Sequence, residues 1–262
     1  MRTESDSPVW WAYALIGVLA GVFSGFFGVG GGIVMVPLLT AVLGLDHKTA
    51  SVTSLAAIIP IATTGAISFL SNGTLPLDQA AFGLVIALGA AVTAPLGTRA
   101  LRTWPVATIR WIFIGVLFAA AIMVFVTLPD RSAALHWSPV TVLALVVLGG
   151  VMGFVAGLLG VGGGLIVVPA LIVLFDVSDL AAKALSLIAM VPAAVSGTAS
   201  SGRAGRVDWV NAAALGIPAS VTSSAGVWLA TIVPVAVAQP LLAVFILYAV
   251  VNQVQRALRN RT

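Results

Sequence analysis

Of the chain's 262 residues, 60% are hydrophobic and 8% charged, with a mean hydropathy of +1.16; a soluble domain carries about 25% charged residues, so a water-facing surface is excluded. The net charge of +4 is spread over loop ends, which speaks for orientation in a bilayer rather than for nucleic-acid binding. The absence of cysteine excludes disulfides and thiol chemistry.

The opening residues, MRTESDSPVWWAY, carry acids and no small-residue cleavage site, the pattern of a short tail rather than a signal peptide. The first apolar run, Val9–Leu45, follows Ser7-Pro8, an N-cap and a proline at the first helical position. It contains GVGGG at 28–32 and then Pro37. Such a run would be about 54 Å long as a helix, too long for one span of an apolar core about 30 Å thick. Three consecutive glycines also weaken it by about 1 kcal/mol each relative to alanine. Further runs lie at about 50–70, 79–98 and 106–128. A second long run, Val140–Phe175, follows Ser138-Pro139, and three more cover about 181–201, 209–230 and 235–253. None alternates polar and apolar residues as barrel strands do, so the expected fold is all-α, a polytopic transmembrane helical bundle.

The order of these runs is a duplication. Gly21–Leu39 reads GVFSGFFGVGGGIVMVPLL and Gly153–Leu171 reads GFVAGLLGVGGGLIVVPAL, identical at ten of nineteen positions with an offset of 132. Ser54 then pairs with Ser186, Pro60 with Pro192 and Gly65 with Gly197; later, Gly97 pairs with Gly226 and Pro105 with Pro234. Matched Gly, Pro and Ser punctuation extends the repeat over residues 7–130 and 138–255.

Two topologies follow. A single crossing by each long run makes eight spans in two parallel four-span halves. A turn at each GVGGG makes ten segments, five per half, and an odd number inverts one half against the other. Positive-inside counting separates them. With eight spans, the N-terminal side holds seven of the twelve basic residues. With ten, it holds Arg2, Lys48, Arg99, Arg102, Arg110, Arg203, Arg206, Arg256, Arg259 and Arg261, leaving Arg131 and Lys183 outside. The ten-segment, 5+5 inverted reading is favoured, with both termini cytoplasmic and the segments 33–45 and 165–175 short enough to be half-helices of re-entrant hairpins.

Short segments interrupted by Gly and Pro at matching positions of two halves point to a transporter binding site. Glycine permits positive φ and close backbone approach, and a helix starting after it presents unpaired N–H groups with partial positive charge. Gly30, Gly31 and Gly32, with Gly162, Gly163 and Gly164, are therefore candidates to cradle a small anion, and Pro37, Pro169, Pro60 and Pro192 are candidate helix breaks. Gly17, Gly21, Gly25 and Gly28, and Gly149, Gly153, Gly157 and Gly160, fit close helix packing better. Thr53, Ser54 and Ser186 are candidate donors to oxyanion oxygens, against the alternative of bonding their own helix. Lys183 either holds an anion at the mouth or snorkels to the interface. Acids fall at predicted segment ends, which speaks against coupling through carboxylates inside the membrane.

No catalytic arrangement emerges. His47 and His136 fall in predicted loops without partners at metal-ligand spacing, and no phosphate-binding GK[ST] is present. No enzyme activity, metal or cofactor is expected. The partners are the lipid bilayer and a small anionic solute, and a homo-oligomer is compatible with the sequence.

The duplicated GxxxGxxGxGGGxxxxPxL, from Gly21 to Leu39 and from Gly153 to Leu171, resembles the TauE/SafE sulfite-exporter family, also called toluene-sulfonate uptake permeases. Ser54 with Pro60, Ser186 with Pro192, and the turn Gly205-Arg206-Val207-Asp208 extend the likeness; the counterpart turn, Gly73 to Asp78, is two residues longer. The resemblance implies secondary transport of sulfite, sulfonates such as sulfoacetate, or related sulfur oxyanions across a bacterial inner membrane. Export coupled to protons or membrane potential is the leading reading; a passive channel and a non-transport scaffold or intramembrane enzyme are the alternatives.

Overall fold

The computed structural model describes residues 10–126 and 135–259, and all of its regular structure is helical. The Ser7-Pro8 cap, Asp130, Arg131, Arg2 and Arg261 lie outside the described residues. The helices are α1 (Trp10–Phe27), α2 (Gly32–Val42), α3 (His47–Ser71), α4 (Leu77–Thr103), α5 (Val106–Val126), α6 (Pro139–Leu159), α7 (Gly164–Phe175), α8 (Asp179–Gly202), α9 (Trp209–Ile232) and α10 (Val235–Arg259). Six of these, α1, α3, α4, α6, α8 and α9, are long and apolar enough to cross a membrane.

Both long apolar runs are split at their glycines. Gly31 and Gly163 are the N-caps of α2 and α7, with φ of 72° and 77° and no side-chain cap bond. A left-handed backbone costs an L side chain roughly 1–2 kcal/mol, which is why glycine stands there. The chain folds back at these points: a Cβ on Gly31 would lie 2.7 Å from the Ala20 carbonyl oxygen in α1, and one on Gly163 would lie 2.7 Å from that of Met152 in α6. With 11 and 12 residues, α2 and α7 are about 17–18 Å long at 1.5 Å per residue, roughly half of a bilayer core.

Pro37, Pro169, Pro60 and Pro192 correct the sequence expectation. All four lie inside α2, α7, α3 and α8, which continue past them. Proline removes one backbone donor but still fits where neighbouring helices compensate, so the breaks are made by glycine alone. Elsewhere the expected punctuation holds: Ser138 caps α6 by accepting from the Thr141 N–H at 3.1 Å, with Pro139 opening the helix.

Helix packing interleaves the two halves. Gly17, Gly21 and Gly25 of α1 rest on the backbone of α9 at Leu215, Ala219 and Ser223, so these helices run parallel. Gly149, Gly153 and Gly157 of α6 rest in the same way on Ile86, Ala90 and Ala94 of α4. Backbone lies against backbone at these seams, and threonine hydroxyls lock them: Thr222 donates to the Val18 carbonyl at 3.0 Å, and its repeat mate Thr93 to that of Gly150 at 2.6 Å. At the centre α3 and α8 run antiparallel, Leu187 meeting Gly65 and Leu55 meeting Gly197. The outer faces are apolar, with Leu84, Leu88 and Val92 of α4 and Val140, Leu143 and Val147 of α6 exposed, as a hydrocarbon solvent requires. All seven Trp residues are exposed, and most lie near helix ends, where an aromatic belt would sit.

Candidate substrate site

The two glycine loops cross in the middle of the molecule. Gly28 and Gly30, like Gly160 and Gly162, hold positive φ, and each loop presses on its mate. A Cβ on Gly32 would strike the Gly160 carbonyl, and one on Gly164 would lie 2.5 Å from that of Gly28. Between the loops sit Met190, whose sulfur would be 2.6 Å from a Cβ on Gly30, and its repeat mate Ile58, 3.3 Å from one on Gly162. Backbone and these two apolar side chains occupy the space between the loops.

Ser54 and Ser186 are brought to this crossing, but for a different task from the one expected. The Ser54 hydroxyl donates to the Gly160 carbonyl at 2.7 Å, and the Ser186 hydroxyl to the Gly28 carbonyl at 2.9 Å. Each hydroxyl has one proton, so in this conformation both brace the opposite loop and neither has a proton left for an oxyanion. Thr53 is buried beside Ser54 on α3.

A cavity lies next to the crossing, walled by Phe27, Leu165, Val168 and Leu242, with Gly164 and Leu165 bringing in the first turn of α7. Its polar lining is Lys183, Asp179 and Gln239. Lys183 is buried and ion-paired. It is 4% exposed, its Nζ lies 2.8 Å from Asp179 Oδ2 and 5.7 Å from the Phe26 ring centroid, and its backbone is packed on Gly28. A buried cation needs such a partner. Together the Lys183–Asp179 pair, the amide of Gln239 and the uncapped start of α7 line an otherwise apolar space, the composition of a small-molecule site.

Sequence reading missed Asp179 and Gln239 in this wall. The i,i+4 spacing of Asp179 and Lys183 was a signal for the first, whereas nothing local brings α10 to α7. His47 was also misplaced: it is the first residue of α3 and 7% exposed, because Asp46 caps the helix by accepting from the N–H groups of Lys48 and Thr49 at 3.0 and 3.1 Å.

The family profile described as Sulfite exporter TauE/SafE matches residues 2–124 and 145–262. The chain belongs to this family. Among relatives, it is 27% identical over 199 residues to the probable membrane transporter protein YdhB of Bacillus subtilis, covering 75% of this chain and 80% of that protein. The probable membrane transporter protein YunE of the same organism is 25% identical over 224 residues, covering 77% and 81%. No solved structure gives a significant match. Membership makes the chain a multi-pass membrane transporter of the TauE/SafE family, in contact with lipid.

Proposed function

We propose that this transporter carries small sulfur-containing oxyanions, sulfite or sulfonates such as sulfoacetate, out across a bacterial inner membrane by alternating access. The observation that carries the reading is the cavity where Lys183, Gln239 and the uncapped first turn of α7 meet beside the glycine crossing. A helix start and an ammonium favour an anion. Because Asp179 already balances much of the lysine charge, the anion competes with a carboxylate, and release stays feasible.

In this reading, residues 7–130 and 138–255 are inverted repeats with both termini cytoplasmic, and α2 and α7 are half-helices meeting at the bilayer midplane. Rocking one repeat against the other opens the cavity to alternate sides, while Met190 and Ile58 keep the crossing shut between them. That plug favours a carrier over a passive channel. Proton or membrane-potential coupling supplies the driving force.

Proteoliposome flux tests this. Saturable sulfite or sulfoacetate uptake with counterflow is the expected result, and Lys183→Gln should raise the half-saturating concentration at least tenfold. Unsaturable conductance would point to a channel, and the absence of any anion flux would overturn the reading.

A further inference from the structure

The repeat carries the walls of the Lys183 cavity to a second place. With the 132-residue offset, Lys183 corresponds to Ser51 and Asp179 to His47; with the 129-residue offset that pairs Pro105 with Pro234, Gln239 corresponds to Arg110. The structure keeps this equivalence, since Lys183 packs its backbone on Gly28 and Ser51 packs its own on Gly160. Because α3 and α8 run antiparallel, the two places lie on opposite sides of the glycine crossing.

The chemistry differs between them. At the first, a carboxylate faces the cation. At the second, His47 stands in place of that carboxylate. Its Nε2 is buried without a hydrogen-bond partner, and so is the hydroxyl of fully buried Ser51. The His47 ring lies 6.1 Å from that of Phe113 on α5, and Arg110, one helical turn before Phe113, acts on His47 electrostatically. The nearest acid in sequence, Asp46, caps α3, where Thr49 and Lys48 hold its carboxylate, and it too acts on His47 electrostatically. Buried polar groups are nearly always satisfied, by protein or by something bound. An imidazole N–H, a hydroxyl and a guanidinium together make a donor set for an oxyanion.

We infer that His47, Ser51 and Arg110 form a second half-site for the transported oxyanion, the repeat mate of the Lys183 cavity, so that the substrate has one station on each side of the crossing. The inference rests on the anion-transport reading above and adds its residues to the substrate path.

Equilibrium dialysis of the purified protein in detergent, with sulfite and with sulfoacetate as separate probes, tests it. Two anions per chain are expected. His47→Phe combined with Ser51→Ala should remove one and leave the other, and Lys183→Gln should remove the one that the first variant keeps. Arg110→Gln serves as the second variant, with size-exclusion profile and thermal midpoint as folding controls. A single anion per chain in the wild type, abolished by Lys183→Gln, would overturn the second half-site and leave the transport reading intact. Two anions retained in the folded His47/Ser51 variant would overturn it equally. No binding of either probe to the wild type would sink both.

Discussion

Gly31 and Gly44 separate the two costs of replacing a glycine. Both hold positive φ, 72° and 66°, where an L side chain costs roughly 1–2 kcal/mol. Around Gly44 there is open space, whereas a Cβ on Gly31 meets the α1 backbone at Ala20. Gly44→Ala is therefore expected to cost about 1 kcal/mol, and Gly31→Ala about 2–5 kcal/mol once overpacking is added. Thermal midpoints in a single detergent compare them, and equal shifts would mean that the crossing yields to a methyl group. Ser186→Ala, which strips the donor from the buried Gly28 carbonyl, is expected to cost about 1–3 kcal/mol. At this scale the glycines were legible because a conformational demand is local. The serine acceptors were not, since they belong to the opposite half, 106 and 158 positions away.

Helices were legible to within a few residues, and the largest shift in function came from a cap. Reading apolar content alone starts the third helix near residue 50, but Asp46 moves the start to His47 and so makes a loop histidine a buried one. Burial works against the Asp46 charge, yet the Thr49 hydroxyl, with the backbone N–H groups of Thr49 and Lys48, holds the carboxyl below its ordinary value of 3.8. A depressed carboxyl contributes stability above its unfolded pKa and loses it as pH falls through the folded one. Asp46→Asn caps about as well without a charge. The wild type is thus expected to be more stable at neutral pH, with the two thermal midpoints converging as pH drops below 3.8; a gap that persists in acid would exclude this account. Packing partners were less legible than helix limits. Small-residue spacing marks a face for close approach on α1, but the same face would accept several neighbours, and only the folded chain pairs it with α9. Gly21→Leu, set against the α9 backbone, is accordingly expected to abolish monodisperse protein, while Gly115→Leu, with open space around it, is expected to be tolerated.

For the molecule as a whole, duplication is legible in matched punctuation, while the inversion of one half against the other is an expectation from charge counting, which sums weak preferences over loops. Helix packing bears on the same question independently. The chain reverses at Gly31, α3 and α8 run antiparallel, and Lys48 at the start of α3 donates to the Arg102 carbonyl at the end of α4, 3.1 Å away. The loops after α4 and α8 then share one end of the bundle, and those after α3 and before α6 share the other. Since the chain has no cysteine, single replacements report sidedness without background. Thr103, Ala204, Asn72 and His136 are all exposed. In intact cells, Thr103→Cys and Ala204→Cys are expected to resist a membrane-impermeant thiol reagent, and Asn72→Cys and His136→Cys to react. Asn72 and Ala204 are repeat mates at the 132-residue offset. Parallel halves would place that pair on one side of the membrane, so labelling of both, or of neither, would refute the inversion on which alternating access through these two half-helices depends.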